Sequence, residues 1–346
     1  MLTSITVENF RGIERLHVEG LGRVNLIIGR NDSGKTALME AMQIARQPFD
    51  AARFVSIRQR QRDPEADPKD FDEFWAPVFW RMDAQRGARI HGTSTKMAPV
   101  SLSLKKAPSG SPLPRGSMGA EPAPFDTWAL ICEGEQDNQH ATLITYGGDQ
   151  GVRLPRYLSR ENILWCSPSP RISSSDIKEF SKLKQQGKDE LIIELLQGVN
   201  DQVSGIELLA PTGSRIAIFV RLKREGLVPL LMLGEGMKRY FEFALSLAAT
   251  DGTPIYIDEI ENGLHHSILE SLWTWLARIS GEQNVQVFAT THSEECVQAA
   301  SRAFKLQGDE GLRVIRLDKQ EHETKAVVYD RDLVEAAERM GVEIRG

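Results

Sequence analysis

A glycine-rich segment of the sequence, Gly29–Thr36, has the residue types that bind phosphate groups. It reads Gly-Arg-Asn-Asp-Ser-Gly-Lys-Thr and fits the pattern G-x-x-x-x-G-K-[ST]. Its glycines let backbone N–H groups point inward around an anion, and the helix expected to follow adds its positive end. Lys35 can reach the outer phosphates, and the Thr36 hydroxyl suits Mg²⁺. The segment predicts a phosphate-binding loop (P-loop), although a glycine-rich strand–helix turn can match this pattern by chance.

A second candidate is the apolar stretch Pro254–Ile257, which ends in Asp258 and Glu259. We expect this strand beside the P-loop strand. Asp258 would then hold Mg²⁺ through water, and Glu259 would orient or deprotonate an attacking water. A strand that ends in two acidic residues is common and usually structural. Together with a P-loop, the pair predicts a site that hydrolyses a nucleoside triphosphate.

Two further segments could contact a terminal phosphate. His292 follows two threonines at the end of an apolar strand, 34 residues after Asp258, and this setting favours a sensor of the γ-phosphate. A lone histidine at a strand end is more often a satisfied polar residue. Gly234, Glu235 and Gly236 begin an apolar helix, whose free N–H groups would form a second anion site. By itself, this segment is more typical of an ordinary helix cap.

Short apolar strands alternate with helices around these motifs. Such alternation predicts a parallel sheet covered by helices on both faces. The expected strands are Leu2–Val7, Val24–Ile28, Thr127–Cys132, Ala141–Tyr146, Ile216–Val220, Ile255–Ile257, Val285–Ala289, Leu312–Leu317 and Lys325–Tyr329. The expected helices are Lys35–Ala45, Gly236–Ala249, His265–Ile279 and a short one from Arg331.

The middle of the chain has a different character. Residues 174–200 predict two short helices separated at Gly187. Between residues 107 and 124, 11 of 18 residues are Pro, Gly or Ser, which predicts a flexible loop. We therefore expect a mostly helical insertion, residues 49–204, that contains this loop.

The composition limits the class of protein. The chain has 346 residues, enough for about two domains or one domain with a large insertion. Lys and Arg total 42 against 48 Asp and Glu, and the net charge of −6 excludes a DNA-coating charge over the whole protein. The cysteines are scattered, the N-terminus lacks a signal-peptide pattern, and no apolar run reaches about 18 residues. We expect a cytoplasmic protein with no membrane contact.

A local basic stretch leaves DNA binding open. Residues 81–120 contain seven basic side chains against one acidic side chain. Trp75 and Trp80 lie nearby and could stack on bases. The alternatives are a solvated loop and tryptophans that belong to the core. Four arginines precede the stretch and would extend it: Arg53, Arg58, Arg60 and Arg62.

In this order the motifs resemble those of an ABC-type ATPase head of the RecF/SMC/OLD group. Glu8–Gly12, which contains Asn9-Phe10-Arg11, is similar to an element that follows the first strand of these heads. Glu261–His266 resembles the D-loop of compact OLD-like, AAA-family ATPases. The other motifs match as follows: Gly29–Thr36 the Walker A motif, Ile255–Glu259 the Walker B motif, Leu233–Arg239 the signature loop and His292 the switch histidine.

The resemblance implies a fold, a cofactor and a dimer. Residues 1–48 and 205–346 would form an α/β P-loop head, with a mixed, mainly parallel sheet and flanking helices, interrupted by the insertion. Two heads would sandwich ATP and Mg²⁺ in a homodimer or a higher even oligomer. The implied catalytic residues are Lys35, Glu259 and His292, and the implied metal ligands are Thr36 and Asp258. The implied nucleotide contacts are Arg11, Gly29, Asn31, Asp32, Ser33, Gly34, Lys35 and Thr36 from one subunit, with Gly234, Glu235 and Gly236 from the other.

Two features depart from the family pattern. Glu235 stands where transporters usually carry serine, so a carboxylate would lie near phosphate. Either Lys238 or Arg239 compensates this charge, or Glu235 points away and only backbone amides bind the nucleotide. No glutamine has a diagnostic Q-loop context; the candidates are Gln59, Gln61 and Gln85.

The lengths of the segments argue against further domains. Only 88 residues follow Asp258, too few for the Toprim nuclease domain of OLD proteins. The 196 residues between Thr36 and Leu233 contain no heptads, so we expect no coiled-coil arm.

The leading hypothesis is an ATP hydrolase that works as a switch. An ATP-sandwich dimer would sense DNA or a partner protein and control a separate effector, and the resemblance to compact OLD-like ATPases implies a role in bacterial anti-phage defence. One alternative is a RecF-like ATPase that clamps DNA during repair. Another is a scaffold stabilised by ATP, against which the complete set of Lys35, Asp258, Glu259 and His292 argues.

Overall fold

The computed structural model describes residues 1–95, 98–108, 117–118, 126–136, 139–155, 164–166, 172–211, 213, 216–321 and 323–340. Most of the loop predicted at 107–124 therefore lies outside the described residues. The strands are β1 (Leu2–Phe10), β2 (Ile13–Glu19), β3 (Val24–Ile28), β4 (Ala88–Ser94), β5 (Val100–Pro108), β6 (Ser117–Met118), β7 (Asp126–Gln136), β8 (Gln139–Gly148), β9 (Gly151–Arg153), β10 (Leu164–Cys166), β11 (Val203–Leu209), β12 (Ala217–Leu222), β13 (Gly226–Pro229), β14 (Ile255–Ile257), β15 (Val287–Thr290), β16 (Leu312–Lys319) and β17 (Thr324–Asp330).

The α-helices are α1 (Lys35–Arg46), α2 (Ala51–Arg62), α3 (Ser174–Gln185), α4 (Asp189–Val199), α5 (Glu235–Ala249), α6 (His266–Glu282), α7 (Glu294–Leu306) and α8 (Arg331–Arg339). The predicted break at Gly187 lies between α3 and α4, where the glycine has a φ of +69°. Within the part of the chain that the structure describes, no helix is both long and apolar enough to span a bilayer.

A mainly parallel sheet carries the predicted motifs. The described strands follow the order β10-β14-β15-β3-β16-β17, and β17 alone among them runs antiparallel to its neighbour. All residues of β3 and β14 are buried, as expected for central strands that are covered on both faces. The mixed α/β class expected for a P-loop head is confirmed.

One detail of the predicted strand order is wrong. The strand that precedes Asp258, β14, does not lie beside the P-loop strand β3. Instead β15 lies between them, and its Ala289 is in register with Ile257 on one side and Leu26 on the other. Order along the chain does not determine order in the sheet, because a crossover connection can pass over a strand position. The intervening strand brings Thr290 close to Asp258.

The insertion is not mostly helical, which corrects the sequence prediction. β4, β5, β7 and β8 extend β1 and β2 into an antiparallel sheet, and the short strand β6 joins it parallel to β8. The order among the described strands is β2-β1-β4-β5-β7-β8-β6, with β9 paired to β8. In β5, Val100, Leu102 and Leu104 are buried and alternate with more exposed residues. Ser, His, Arg and Lys occupy the outer positions of β4 and β5. The alternation of buried and exposed residues along these strands is therefore easily missed in the sequence.

Helix α1 lies between the two sheets. Its buried residues, such as Leu38 and Met42, share one apolar core with the inner face of the antiparallel sheet and with Tyr256 and Phe288 of the parallel sheet. The opposite face of the parallel sheet is covered by α3 to α7. The helix that begins at the P-loop is therefore enclosed on both sides.

A buried ion cluster joins α1 to the β1–β2 turn and to α2. Glu40 is 0% exposed; its carboxylate lies 3.0 Å from Arg11 Nε, 3.1 Å from Arg58 Nε and 2.9 Å from Arg62 Nη2. Burial raises the pKa of the Glu40 carboxyl, but the three guanidinium groups outweigh this effect and hold the pKa below its usual range. Burial also lowers the pKa of Arg11 to about 10. The cluster fixes the orientation of the P-loop helix.

Glu40→Gln should destabilise the protein, because three guanidinium groups would lose the carboxylate that they share. We expect the free energy of unfolding at neutral pH to fall by about 3–5 kcal/mol, as measured by chemical denaturation. Since the folded-state pKa of Glu40 is lowered, its stabilisation is present above the ordinary carboxyl pKa and is lost as pH falls through the folded-state value.

The matched control for this prediction is Glu282→Gln, which removes an exposed partner of Arg278 on α6. This exposed pair should contribute less than about 1 kcal/mol. Equal losses of stability in the two variants would contradict the role assigned to the Glu40 cluster.

Candidate nucleotide-binding site

The P-loop leaves β3 and curls into a cradle before α1. Gly29 and Gly34 have φ values of +145° and +96°, and Asp32 has a φ of +60°. A Cβ on Gly29 would lie 2.6 Å from the carbonyl oxygen of Leu317, and a Cβ on Gly34 would lie 3.1 Å from Ile13 Cγ1. Both positions therefore require glycine, as the phosphate-binding pattern predicts.

The inside of the cradle fits an anion. The side chain of Ser33 is buried, and its hydroxyl has no hydrogen-bond partner among the residues described. A Cβ on Gly29 would come within 2.8 Å of that hydroxyl, so only glycine leaves this space open. A buried polar atom without a partner is costly, and a phosphate oxygen would satisfy it. Asn31 and Asp32 are exposed on the outer turn of the loop.

Lys35 directs its amine into the P-loop. Nζ donates hydrogen bonds to the carbonyl oxygens of Gly29 at 2.9 Å and Arg30 at 2.8 Å, and the residue is 6% exposed. Burial lowers the pKa of Lys35, and neighbouring carboxylates oppose that shift. The site is therefore rich in negative charge around this ammonium group. The carboxylates belong to Asp258, Glu259, Asp32 and Glu261.

Thr36 and Asp258 meet where the sequence predicts a metal ion. Thr36 Oγ1 lies 3.3 Å from each carboxylate oxygen of Asp258. Asp258 is held there by Thr290, whose hydroxyl donates to Asp258 Oδ1 at 2.7 Å. A hydroxyl and a carboxylate are hard oxygen ligands of the kind that Mg²⁺ prefers, so this pair of residues fits the predicted ion.

Glu259 lies in a backbone turn that other residues hold in place. Its φ is +49°, an uncommon value for a residue with a side chain. Its N–H donates to Thr290 Oγ1 at 2.8 Å, and its carbonyl accepts from Arg239 Nη2 at 2.8 Å. The same nitrogen of Arg239 donates to the carbonyl oxygen of Asp258 at 2.6 Å. Arg239 therefore links helix α5 directly to the turn that carries both acidic residues.

His292 lies at the end of the neighbouring strand segment. Its backbone N–H donates to Glu261 Oε1 at 2.7 Å, and the N–H of Ile260 donates to the carbonyl oxygen of Thr290 at 3.0 Å. These bonds tie the segment after β14 to the segment after β15. The structure thus brings Lys35, the acidic pair and the backbone of His292 to one edge of the sheet.

The predicted signature residues begin helix α5, where Gly234 is the N-cap and is exposed. The side chain of Glu235 is 66% exposed and pairs with Lys238 one turn later, so Lys238, rather than the buried Arg239, compensates its charge. A Cβ on Gly236 would lie 3.0 Å from the carbonyl oxygen of Gly263. The D-loop region therefore packs against the start of the signature helix.

Arg11 lies in the Glu40 cluster. Its Nη1 donates to Gln59 Oε1 at 2.9 Å, while its buried Nη2 has no hydrogen-bond partner within the described ranges. Among the candidates for the Q-loop, Gln59 is buried beside Arg11, Gln61 accepts a hydrogen bond from a neighbouring arginine, and Gln85 is exposed. The predicted contact of Arg11 with nucleotide, and the choice of Q-loop residue, stay predictions.

Two residues of the site have roles that sequence reasoning did not assign. Arg239 follows the signature glycines and fits an ordinary amphipathic helix, so nothing in its spacing indicates contact with β14. Glu261 is part of the D-loop resemblance, which gave no reason to expect a bond to the backbone of His292. Both roles depend on contacts between elements that are distant in the sequence.

This fold and this site together define a P-loop ATPase head. A phosphate cradle follows one central strand, an acidic pair follows a second, and a threonine–histidine segment follows the strand between them. Comparison with known families agrees. Residues 1–66 match the family described as "AAA ATPase domain", and residues 168–297 match the family described as "AAA domain, putative AbiEii toxin, Type IV TA system".

Similar proteins support the same class. An ATP/GTP phosphatase of Helicobacter pylori is 22% identical over 337 residues, which cover 88% of this chain and 89% of that protein. A crystal structure of an SMC head bound to the C-winged helix domain of ScpA has a TM-score of 0.53 at 11% identity and covers 97% of this chain and 99% of its own. An SMC head with an extended coiled coil, bound to the C-terminal domain of ScpA from Pyrococcus furiosus, has a TM-score of 0.50 at 11% identity and covers 100% and 99%.

The chain is therefore an ATP-hydrolysing enzyme in which two segments match AAA ATPase families, and its fold is similar to that of SMC heads. The two matched segments correspond to the two parts in which the sequence motifs fall.

Arg239→Gln should slow ATP hydrolysis on the order of 10–100-fold, because glutamine cannot hold both carbonyl groups and the Glu259 backbone would shift. The dissociation constant for ATP should change little, since the hydrogen bonds described for Arg239 go to the backbone of Asp258 and Glu259, not to the P-loop. The turnover number and the ATP affinity are measured separately. Arg239→Lys keeps a donor near the turn and should recover part of the rate.

Arg278→Gln is the matched control, because it removes an arginine from the exposed side of α6, outside the site. It should leave turnover unchanged. A loss of ATP affinity as large as the loss of turnover in Arg239→Gln would contradict a role limited to positioning the acidic residues.

Proposed function

We propose that this ATPase binds ATP and Mg²⁺ at the P-loop, completes its catalytic site with a second copy of the chain, and works as a switch for a separate effector. The observation that supports this proposal best is the convergence of Thr36, Asp258, Glu259 and Thr290. A structural phosphate site would need the cradle, but it would not need an acidic turn held beside it by buried hydrogen bonds.

The roles of the residues follow from their chemistry. Backbone N–H groups of residues 29–36, with Lys35 and Ser33, would bind the phosphates. Thr36 and Asp258 would hold Mg²⁺, which when bound neutralises charge on the phosphate oxygens. Glu259 would take a proton from water as the water oxygen bonds to the γ-phosphorus and the bond to the β–γ bridging oxygen breaks. His292 would donate to the γ-phosphate.

A split site follows from the position of the signature residues. Gly234 is exposed at the start of α5, where the first backbone N–H groups of a helix can bind an anion, and a Cβ on Gly234 would have nothing within 4 Å among the described residues. We propose that Gly234, Glu235 and Gly236 contact the γ-phosphate held by a second copy, in a homodimer or a higher even oligomer. Arg239 lies on the same helix, so the nucleotide of one subunit would influence the acidic turn of the other.

A role in defence with a separate effector is supported by what the comparisons name. The family matched at residues 168–297 is described with a putative toxin of a type IV toxin–antitoxin system. The similar SMC heads are bound to domains of a partner protein. We propose a cytoplasmic, anti-phage switch of this kind, and the three buried free cysteines are consistent with a reducing compartment.

The DNA-clamp alternative is less well supported by the geometry. Four of the seven basic side chains of residues 81–120 are paired with acids, namely Arg86 with Glu14 and Asp83, Arg89 with Glu8, Lys105 with Glu133 and Lys106 with Asp72, while Arg81 lies over the ring of Trp80. Trp75 is fully buried and cannot stack on a base without leaving the core. Lys96 and Arg115 lie outside the described residues. The proposed switch therefore does not depend on DNA.

Glu259→Gln should abolish turnover while ATP binding persists. Loss of the general base should lower the rate of ATP hydrolysis by at least about 100-fold, because glutamine cannot accept the proton of water. The dissociation constant for ATP with Mg²⁺ should stay within a small factor of the wild-type value. Phosphate release and equilibrium binding are the two measurements.

Glu294→Gln is the control for this variant, since Glu294 is an exposed carboxylate in the first turn of α7, close in sequence to His292. It should hydrolyse ATP at the wild-type rate. Turnover at the native rate in Glu259→Gln would show that another group acts as the base.

Mixing two inactive variants tests the split site. Lys35→Ala should lose the P-loop function, and Gly234→Asp should place a carboxylate against the partner's γ-phosphate without a clash inside its own subunit. A mixed dimer keeps one intact composite site, so an equal mixture should recover about a quarter of the wild-type rate. A mixture as inactive as its components would contradict composite sites formed by exchangeable subunits.

The mass of the native complex tests the effector proposal. We would purify wild type and Glu259→Gln, with ATP and Mg²⁺, from cells that carry the neighbouring genes. An even-numbered oligomer that retains a neighbouring gene product is the expected result. A monomer without a partner in both samples would contradict both the dimer and the switch.

A further inference from the structure

A lysine outside the predicted motifs lies against the P-loop. Lys319 is the last residue of β16, is exposed, and donates a hydrogen bond from Nζ to the carbonyl oxygen of Asp32 at 3.2 Å. Strand β16 runs parallel to β3, with Arg316 in register with Ile28, so residues 317–319 continue alongside the loop that follows β3. The ammonium group of Lys319 is therefore held at the outer side of the cradle.

The contact between β16 and the P-loop is tight. A Cβ on Gly29 would come within 2.6 Å of the carbonyl oxygen of Leu317, so the end of β16 forms part of the wall of the cradle. The position of Lys319 relative to the loop is therefore set by strand pairing. A flexible lysine on such a rigid base can move its ammonium group by several ångströms without moving the backbone.

The charges of the site explain why a second cation is useful there. Four carboxylates, Asp258, Glu259, Asp32 and Glu261, lie close enough to Lys35 to affect its ionisation. ATP remains anionic even with Mg²⁺ bound, so it enters a region where Lys35 faces several negative groups, while the Arg239 guanidinium is engaged with the carbonyl oxygens of Asp258 and Glu259. Arg11, Arg58 and Arg62 are already paired with Glu40. Lys319 adds a positive charge next to the loop, and its ammonium group donates to the carbonyl oxygen of Asp32 rather than to a carboxylate.

Two other basic side chains of the hairpin formed by β16 and β17 are paired with carboxylates. Arg316 pairs with Asp318, and Lys325 pairs with Glu323. The ammonium group of Lys319 instead donates to a carbonyl oxygen, which a phosphate oxygen can replace as the acceptor of the hydrogen bond. This difference separates Lys319 from Arg316 and Lys325, whereas Arg313, near the start of β16, donates to the carbonyl oxygens of Glu310 and Leu312.

We propose that Lys319 is a second phosphate-binding cation of the ATP site, which donates from Nζ to a phosphate oxygen of the bound triphosphate. The proposal rests on the proposed binding of ATP at Gly29–Thr36. It adds a contact from β16, an element that carries none of the sequence motifs. The alternative is that Lys319 only supports the loop through the Asp32 carbonyl.

The test compares nucleotide affinity among variants of the full chain. Lys319→Met keeps most of the apolar stem and removes the charge, and Lys319→Arg keeps the charge. Calorimetric titration with ATPγS and Mg²⁺ should show about tenfold weaker binding for Lys319→Met, the equivalent of about 1.4 kcal/mol. The loss should shrink as salt concentration rises, should be smaller for AMP, and should be largely restored in Lys319→Arg. The melting temperature of the nucleotide-free protein should not change.

Two further variants make the result decisive. Lys325→Met removes the paired lysine of the adjacent strand and should bind ATPγS like the wild type. Wild-type affinity for ATPγS in Lys319→Met would overturn the proposal. An equal loss of affinity for AMP would also overturn it, and so would a loss that comes with a lower melting temperature and is not rescued by Lys319→Arg. Lys35→Ala is measured in parallel. If both Lys35→Ala and Lys319→Met bind ATPγS normally, the proposed P-loop site itself is wrong. If only Lys35→Ala loses binding, the P-loop site stands and only the role of Lys319 is rejected.

Discussion

The hydroxyl group of Thr290 is the contact on which the candidate site depends. It donates to Asp258 Oδ1 at 2.7 Å and accepts from the N–H of Glu259 at 2.8 Å, so one side chain positions both acidic residues. This is possible because β15 lies between β14 and the P-loop strand. The same strand leads to His292, whose N–H is held by Glu261. Asp258, Glu259 and the segment of His292 are thereby coupled through hydrogen bonds between two adjacent strand ends.

The helices on the two faces of the parallel sheet connect the hydrogen bonds of Thr290 to the rest of the structure. On one face, α5 carries the signature glycines at its exposed end and Arg239 at its buried side, where the guanidinium binds the carbonyl groups of Asp258 and Glu259. On the other face, α1 begins at Lys35 and is fixed through Glu40 to Arg11 and α2. A displacement of either helix would move one half of the site relative to the other.

How much of this arrangement can be predicted varies with the range of the interaction. The P-loop, the acidic strand and the helices α1 and α5 follow from local patterns, because glycine spacing and apolar periodicity act over neighbouring residues. The strands β4 and β5 could not be predicted from these patterns, because their outer positions carry Arg, His, Ser and Lys. They pair with each other, but β4 also pairs with the distant strand β1. The assumption that Asp258 borders the P-loop strand failed for a similar reason, because pairing order is a property of the whole sheet.

Local residue patterns specify the chemical groups of this protein: a phosphate cradle, two carboxylates, a histidine and a helix that begins at glycines, each encoded by a few adjacent residues. The tertiary structure decided which of these groups meet and how they are held. Thr290 became the shared partner of the acidic pair, Lys238 rather than Arg239 took the charge of Glu235, and Arg239 reached the Walker B turn. These outcomes depend on strand order and helix packing, and both are set by burial of apolar surface across the entire chain rather than by local residue patterns.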